Sequence, residues 1–245
     1  MFNFFIKDGF NGDTVTIEGN DYNHIKNVLR MKEGEDLLIS HDGKSSLCSI
    51  KEFLDGAVVL SVIKKDYAVT SLPVEIALFQ GLPKNDKLEL IIQKAVELGV
   101  SKIIPVETER AIVKIEEKKK QSKTARWQSI AESAAKQCKL TFIPEVLCPV
   151  TFNSAIELIN SFDHFIVPYE NKDGMTATVN ALKEIKAGQK VGIFIGPEGG
   201  ISEKEITALE NVGAKPVSLG KRILRTETAA IIALSMLMLY AEINL

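Results

Sequence analysis

Two glycine-containing loops near the end of the chain have the residue types and spacing to bind a flat ligand. Gly196-Pro-Glu-Gly-Gly200 follows the apolar run Val191–Ile195, and Leu219-Gly-Lys-Arg-Ile-Leu-Arg225 extends from the run Pro216–Leu219. Glycine lets the main chain approach a ligand closely, so backbone N–H and C=O groups can bind it. Each loop leads from a strand-type run into a helical one, which predicts that both emerge at the carboxyl edge of a parallel sheet.

The first loop does not match the common nucleotide-binding motifs. It lacks the Gly-Lys-Ser/Thr ending of a P-loop, and it does not read G-x-G-x-x-G. A dinucleotide fold also carries its glycine loop after the first strand, whereas this loop lies about four fifths of the way along the chain. Two ordinary strand-to-helix turns are the alternative, because Gly and Pro commonly mark turns.

The two loops resemble the signature of a known family. Their sequences, extended to Gly196–Glu205 and Leu219–Ala229, are similar to those of SPOUT-class RNA methyltransferases, and within that class to the ribosomal RNA small subunit methyltransferase E family. The resemblance covers most of the chain, because further segments stand in the order that the family has: His24–Met31, Lys84–Glu89, Gln93–Val100, Thr108–Arg110 and Ala134–Gln137.

The resemblance implies an enzyme that methylates N3 of one uridine in the decoding region of 16S rRNA. It implies S-adenosyl-L-methionine as the methyl donor, held by three loops of a trefoil knot, the first of them Val167–Glu170. By residue match, the cofactor-binding residues are Pro168, Ile195, Gly196, Gly199, Gly200, Leu219, Gly220, Ile223, Leu224, Arg225 and Thr226.

Three ionisable side chains of these loops are candidate catalytic residues. Uridine N3 becomes a good nucleophile only when its proton leaves or when negative charge on the flanking carbonyls is stabilised. Arg225 is the candidate for charge stabilisation, because a guanidinium keeps its charge at any working pH. Glu198 and Glu227 are candidate bases or orienting groups. A structural hydrogen bond is the alternative for each carboxylate, and we favour it.

The resemblance also implies an RNA-binding surface. By residue match its members are His24, Arg30, Lys84, Lys87, Lys94, Arg110 and Gln137. After Gln137 the chain has Cys138 and Lys139, where many relatives have Ser and Arg. Lysine keeps the positive charge but loses the flat bidentate guanidinium, so the RNA contact at that position differs from that of the family.

Composition and charge limit the function classes. The chain of 245 residues has 45% hydrophobic residues and a net charge of −2, which suits a globular protein and gives no general support to nucleic-acid binding. The three cysteines and three histidines show none of the close paired spacings of zinc sites, so we expect no metal. The apolar run Ala229–Ala241 is shorter than a membrane span, and we see no signal peptide. We therefore expect a cytoplasmic protein without a membrane partner.

The pattern of apolar runs predicts an α/β protein with two domains. Residues 1–70 alternate short apolar runs with turn signals, which indicates a small antiparallel β-barrel with one helical stretch around Tyr22–Leu29. The resemblance implies that this domain is PUA-like and binds RNA. Residues 73–245 alternate strand and helix, which predicts a mostly parallel sheet covered on both faces, the SPOUT methyltransferase domain of the resemblance. The polar segment Lys64–Pro73 is the predicted hinge.

Helix signals add three expectations. Glu89 follows Asp86, and Glu205 follows Ser202, at the spacing of a capping box. The last helix, Thr228–Leu245, is apolar nearly all round and must be covered on every side. A second subunit would provide that cover, and the resemblance also favours a homodimer. Burial within one subunit is the alternative.

Three functional hypotheses remain open at this point. The first is an S-adenosylmethionine-dependent methyltransferase acting on 16S rRNA or on the small ribosomal subunit. The second is a catalytically silent RNA-binding protein of ribosome assembly, although such a protein has no physical need for both glycine loops and Arg225. The third is a SPOUT methyltransferase that acts on another RNA site.

Overall fold

The chain forms two compact units. In the computed structural model, the described residues are 1–7, 10–169 and 174–245. The first unit comprises Met1–Ser71 and Ala135–Ile143, and the second comprises Leu72–Ala134 and Pro144–Leu245. No sequence signal separates residues 135–143 from the C-terminal part of the chain.

Hydrogen bonds and an ion pair explain why residues 135–143 belong to the first unit. Lys136 Nζ lies 3.1 Å from Asp21 Oδ1. Asn3 Nδ2 donates to the Leu140 carbonyl at 3.0 Å. Thr141 N donates to the Thr70 hydroxyl at 2.8 Å. These contacts tie the segment to the beginning, the helical stretch and the end of the first unit.

The first unit is built on a six-stranded sheet with the strand order β1-β4-β5-β6-β3-β2. The strands are β1 (Asn3–Phe5), β2 (Phe10–Asn11), β3 (Thr14–Glu18), β4 (Asp36–His41), β5 (Lys44–Phe53) and β6 (Ala57–Ala68). Val15 and Ile17 on β3 are buried while Thr16 between them is exposed, which is the alternation of a strand with one covered face.

Two details of this sheet differ from the sequence prediction. The prediction of a purely antiparallel barrel is wrong at one edge, because β1 pairs parallel with β4. The prediction that the hinge begins at Lys64 is also wrong, because β6 continues to Ala68. There Lys64 and Ala68 pair with Leu47 and Ser45 of β5, and this pairing outweighs the polar character of the segment.

The predicted helical stretch of the first unit is present. It consists of α1 (Gly19–Asn23) followed by a π-helix over His24–Val28. Tyr22 and Ile25 are buried in the core of this unit. Arg30 follows the π-helix with a φ of 53°, a backbone conformation that is uncommon for a residue with a side chain.

The second unit contains a seven-stranded sheet in which every described strand pair is parallel, with the order β10-β8-β7-β12-β11-β13 and with β9 beside β8. Its strands are β7 (Glu75–Gly81), β8 (Lys102–Glu107), β9 (Glu145–Val146), β10 (Val150–Thr151), β11 (His164–Pro168), β12 (Lys190–Ile195) and β13 (Lys215–Val217). Its helices are α2 (Lys87–Glu97), α3 (Glu117–Cys138, whose last turn belongs to the first unit), α4 (Phe152–Ile159), α5 (Thr176–Lys183), α6 (Glu203–Asn211) and α7 (Thr226–Asn244).

Helices cover the parallel sheet on both faces, as predicted. On one face Phe79, Phe165 and Phe194 pack with residues of α4 and α6. Helices α2 and α7 contact each other, and α7 also contacts β12. The predicted architecture, an N-terminal sheet domain followed by an α/β domain with a parallel sheet, is therefore confirmed. The trefoil knot stays a prediction.

One of the two predicted capping boxes forms. At the start of α6 the Ser202 hydroxyl accepts from Glu205 N, and the Glu205 carboxylate accepts from Ser202 N. The box predicted at α2 is wrong, because Asp86 makes no side-chain cap bond. Glu89 instead forms a two-point ion pair with Arg126, at 2.9 and 3.0 Å. A bidentate pair of charges is stronger than a neutral cap hydrogen bond.

Helix α7 begins two residues earlier than predicted and leaves much of its apolar surface uncovered within the chain. Ile232, Leu239 and Ile243 are 44%, 51% and 76% exposed. By length and composition the helix is also sufficient to cross a membrane, and 33% of the window that meets this test is buried. Core helices of globular proteins have the same composition, so this property is weak evidence for a membrane.

Candidate functional site

Three loops at the carboxyl edge of the parallel sheet surround one cavity. They follow β12, β11 and β13, which are neighbours in the sheet. The cavity has a volume of about 390 Å³, within the range of small-molecule sites. Its lining residues are Pro168, Tyr169, Ile195 to Ile201, Ser218 to Gly220, Arg222 to Thr226 and Ala229.

The structure brings the sequence-predicted cofactor residues together. Every one of them lines this cavity, from Pro168 at the end of β11 to Thr226 at the start of α7. Glu198 lines it as well, whereas Glu227 does not. Glu170, the last residue of the loop expected after β11, lies outside the described residues. The two glycine loops were predicted from local glycine and strand signals, and the loop after β11 was predicted from the family resemblance. Their adjacency follows from the strand order.

Close backbone packing explains the glycine at position 199. A Cβ atom there would lie 2.9 Å from the Arg110 carbonyl oxygen, nearer than real side chains approach. Gly220 is needed for a different reason, because its φ of 114° is a conformation that side chains rarely adopt. The loop after β12 therefore fits tightly against Arg110, and the loop after β13 makes a turn that requires glycine.

Threonine hydroxyls fix the two glycine loops. Thr226 Oγ1 donates to the Gly196 carbonyl at 2.6 Å, and this bond joins the first glycine loop to the start of α7. Thr178 Oγ1 donates to the Ser218 carbonyl at 2.8 Å and accepts from Ser218 N at 3.1 Å. Thr178 and Thr226 are buried, so these bonds are shielded from competing water. The hydrogen bonds from Thr178 and Thr226 thus fix the orientation of the backbone at Gly196 and Ser218, which lines the cavity.

Lys87 holds both candidate catalytic carboxylates. Its Nζ lies 3.0 Å from Glu198 Oε1 and 3.2 Å from Glu227 Oε2. The Glu198 carboxylate also accepts from Lys84 N, at 3.2 Å for each oxygen. These contacts give Glu198 a structural role, since it ties the residues after β7 to the first glycine loop.

The pKa of Glu198 supports the structural role. Partial burial opposes ionisation, but hydrogen bonds from its own backbone N–H and from Lys87 overcome that effect and hold the pKa of this carboxyl below its ordinary value. The hydrogen bond to Glu198 raises the pKa of Lys87. An anion stabilised in this way is a weaker base than a free carboxylate.

Glu205 fastens residues 108–110 to the far end of the first glycine loop. Besides capping α6, its Oε1 accepts from Glu109 N at 2.7 Å, and the side chain is buried. Ser202 Oγ donates to Glu109 Oε2 at 2.8 Å. The capping spacing predicted the local part of this network. The bond to Glu109 could not be predicted from spacing, because it joins residues 96 positions apart.

Arg225 stands at the N-cap position of α7 with an exposed side chain. Among the described residues it has no side-chain hydrogen bond and no ion pair. Four other cations of this edge also have no carboxylate partner among the described residues: Lys84, Arg110, Lys221 and Arg222. The Arg110 guanidinium donates to the Gly199 carbonyl at 3.3 Å, so it is held at the first glycine loop. The loops around the cavity therefore present positive charge, although the chain as a whole is slightly acidic.

The predicted RNA-binding residues divide between the two units. His24, Arg30 and Gln137 belong to the first unit, where the His24 ring packs edge-on against Phe4 and the other two side chains are exposed. Lys84 and Arg110 lie at the carboxyl edge of the second unit. Lys87 and Lys94, also in the second unit, are engaged by carboxylates, Lys94 by Glu97 at 2.8 Å.

The described residues contain no group of three or more His, Cys, Asp or Glu side chains arranged to hold a metal ion. Cys48 lies in the core of the first unit, and burial raises the pKa of its thiol to about 11. A thiol in that environment stays protonated and unreactive near neutral pH. The described residues thus offer no metal-binding cluster, and the Cys48 thiol is not a candidate nucleophile.

Comparison with known proteins identifies the family. The chain matches the model of an RNA methyltransferase domain over residues 70–238 and that of an RNA methyltransferase PUA domain over residues 17–52. It is 36% identical over 234 residues to ribosomal RNA small subunit methyltransferase E of Bacillus subtilis, and the match covers 94% of this chain and 91% of the relative.

Solved structures agree with this match. Ribosomal RNA small subunit methyltransferase E of Neisseria gonorrhoeae, bound to S-adenosyl methionine, superposes with a TM-score of 0.84 and 29% identity over 100% of both chains. A protein of Legionella pneumophila in complex with the cofactor SAM gives a TM-score of 0.81 and 31% identity, over 97% of this chain and 96% of the other. The chain therefore belongs to the ribosomal RNA small subunit methyltransferase E family.

Proposed function

We propose that this protein uses S-adenosyl-L-methionine to methylate N3 of one uridine in 16S rRNA during maturation of the small ribosomal subunit. One observation carries the proposal: the cavity between the glycine loops is also lined by Arg225, whose guanidinium has no ion-pair partner among the described residues. The kinship with methyltransferases of small-subunit rRNA, one of them bound to S-adenosyl methionine, supports the substrate class and the donor.

The residues of the cavity fit this donor. Its volume of about 390 Å³ suits a small molecule, and the close packing of Gly199 on Arg110 leaves no room for a side chain there. When bound, S-adenosylmethionine supplies an electrophilic methyl group. We assign its binding to the main chain of Ile195, Gly196, Gly199, Gly200, Leu219, Gly220 and Arg225 and to Pro168, Ile223, Leu224 and Thr226.

The chain's own residues have two tasks in this mechanism. They hold the uracil ring so that N3 faces the donor, because positioning alone can supply much of the reduction in barrier. Arg225 stabilises the negative charge that develops on the uracil carbonyls as N3 gives up its proton to solvent water. Glu198 and Glu227, which are both paired with Lys87, keep that part of the site in place and do not serve as the base.

The RNA surface follows from the unpaired cations. Lys84, Arg110, Lys221 and Arg222 have no described carboxylate partner, so each can contact a phosphate without first breaking an ion pair. We assign RNA contacts in the first unit to His24, Arg30 and Gln137. Residues 1–70 are then the RNA-binding domain and residues 73–245 the methyltransferase domain. A ribosomal RNA substrate implies a cytoplasmic site of action.

The functional form is a homodimer in this proposal. Ile232, Leu239 and Ile243 leave an exposed apolar stripe on α7, and Leu90 of the adjoining α2 is 42% exposed. A stripe of this kind requires a cover, and a second copy of α7 provides one of matching chemistry. Sedimentation of the purified protein would test this, with a dimer as the expected species and a monomer at micromolar concentration as the contrary result.

Mapping of modified nucleosides in 16S rRNA tests the proposed function. Cells that lack the protein should lose one N3-methyluridine, and purified protein with S-adenosylmethionine should restore it on small subunits or on naked rRNA. Methylation at another site would favour the alternative of a different RNA target. Binding to rRNA without any methylation would favour the silent assembly protein.

A further inference from the structure

Gln80 is a fully buried polar residue behind the candidate site. It lies near the carboxyl end of β7, with a relative exposure of 0%. Its Nε2 donates to the Gly81 carbonyl and to Thr226 Oγ1, both at 2.9 Å. A backbone carbonyl can only accept, so the bond to Gly81 determines which end of the amide is the nitrogen.

The oxygen of this amide has no hydrogen-bond partner among the residues that the structure describes. Gln80 Oε1 is buried, and no described residue donates a hydrogen bond to it. Buried polar atoms without a partner are rare and reduce the stability of a fold, so each one in a native structure calls for a reason. An apolar side chain of similar size would avoid the unmet acceptor.

The hydrogen bond from Gln80 gives the Thr226 hydroxyl a direction. That hydroxyl has a single hydrogen, and it accepts from Gln80 while it donates to the Gly196 carbonyl at 2.6 Å. Because Gln80 occupies one side of the oxygen, the hydrogen points at Gly196, which lines the cavity. Thr226 is also the first residue of α7, directly after Arg225.

We propose that Gln80 is a positioning residue of the methyl-donor site, acting through Thr226 on the Gly196 carbonyl and on the start of the helix that follows Arg225. Gln80 does not line the cavity, so it acts without contact with the ligand. This inference rests on the proposed function. On this inference, Gln80 is present, despite its buried Oε1 atom without a described donor, because it orients the donor site and not because it stabilises the fold.

Gln189 offers a matched control in the same unit. It directly precedes β12, and thus lies at the end of that strand opposite to the first glycine loop. Its Oε1 accepts from Lys186 N at 2.7 Å and lies 2.9 Å from His164 Nε2. A Gln-to-Leu change therefore removes hydrogen bonds at either edge of one sheet, but only Gln80→Leu affects the cavity.

Calorimetric titration of S-adenosylmethionine and thermal unfolding of the ligand-free protein test the inference together. Gln80→Leu should weaken donor binding by about tenfold, roughly the effect of one hydrogen bond, while the melting temperature stays equal or rises. Gln189→Leu should lower the melting temperature and bind the donor as the wild type does. Wild-type affinity in Gln80→Leu, or a melting temperature that falls as it does in Gln189→Leu, would overturn the inference.

A second pair of variants keeps the test decisive if Gln80→Leu does not fold. Thr226→Val removes the hydroxyl at nearly constant shape, and Thr226→Ser retains it. Donor affinity should fall further in the valine variant than in the serine variant, and equal affinities would contradict the positioning role. If the wild type itself takes up no donor, the proposed function fails, and that result is distinct from any difference among the variants.

Discussion

The two edges of the parallel sheet carry the same kinds of charged residue but use them differently. At the amino edge, lysines at the starts of strands have carboxylate partners: Lys102 lies 3.0 Å from Glu145, Lys190 lies 3.9 Å from Glu75, and Lys215 pairs with Glu184. At the carboxyl edge, no carboxylate in the described part of the chain pairs with Lys84, Arg110, Lys221, Arg222 or Arg225.

This contrast separates charge used for stability from charge kept for a ligand. A paired surface lysine contributes little to stability and has no free charge to offer to a phosphate. An unpaired arginine beside a cavity gains a partner only when a ligand arrives. Lys87 is one exception at the carboxyl edge, because its pairing with Glu198 and Glu227 supports the loop that the other cations surround. Lys120 is another, because it lies 3.2 Å from Glu107 at the end of β8.

Removal of Arg225 should have the largest effect on activity. Arg225→Ala should reduce the rate of methyl transfer by about 10²- to 10³-fold, the usual loss when one charge-stabilising donor is removed, and should change donor affinity little. Single-turnover kinetics and calorimetry measure the two quantities. Lys190→Ala at the amino edge is the control, with unchanged methylation and at most about 1 kcal/mol of stability lost. Equal methylation rates in Arg225→Ala and Lys190→Ala would contradict the claim that only the carboxyl edge uses its charges for the reaction.

A methyl group at position 199 should damage donor binding. Gly199→Ala would place a Cβ 2.9 Å from the Arg110 carbonyl oxygen, so the first glycine loop must shift. We expect donor affinity to fall by about tenfold or more, because a misplaced loop loses at least one main-chain hydrogen bond. Gly213→Ala has a strained φ of 87° but open space, and it should lower stability without changing donor affinity. Donor affinity that is unchanged in Gly199→Ala would contradict the close fit.

Removal of one unpaired cation should change the salt dependence of RNA binding. Arg222→Ala should reduce the slope of log affinity against log salt concentration by about 0.7 to 0.9, the value for one phosphate contact. Filter binding to a fragment of 16S rRNA at several salt concentrations measures this slope. Lys102→Ala should leave the slope unchanged, since Lys102 is paired with Glu145. A smaller slope in Lys102→Ala would show that pairing does not distinguish the edges.

Lys87 should control the titration of Glu198. The pKa of Glu198 lies below its ordinary value, so its stabilising contribution is present above the pKa of the unfolded chain and is lost as pH falls through the native pKa. Lys87→Met should raise the native pKa, so that this contribution disappears at a higher pH. NMR of the Glu198 carboxyl carbon measures the shift. Lys94→Met, on the same helix but paired with Glu97, should leave that titration unchanged.

The parts of the site that sequence could predict depend on local signals. Glycine, proline and strand-type runs lie next to each other in the chain, so the loops at 196–200 and 219–225 and their position at the sheet edge followed from the pattern. The capping of α6 by Ser202 and Glu205 is also local, over three residues.

Interactions between distant residues escaped the prediction. Gln80 meets Thr226 across 146 positions, and nothing in the sequence near Gln80 indicates a polar network in a buried strand. Glu89 does not form the predicted capping box and instead pairs with Arg126, 37 positions away. The ion pairs of Lys87 with Glu198 and Glu227 were not predicted either, and its contact with RNA stays a prediction. In each case a partner far along the chain decided which hydrogen bonds or ion pairs the side chain makes.

Hydrogen–deuterium exchange of the intact protein, with and without S-adenosylmethionine, tests the central claim most directly. The donor should slow exchange at residues 195–200 and 218–226, where the glycine loops line the cavity, and should leave the amino-edge segment 186–190 unchanged. Exchange that is unaffected by the donor in a folded protein, or protection centred on the amino edge, would contradict our assignment of the donor site.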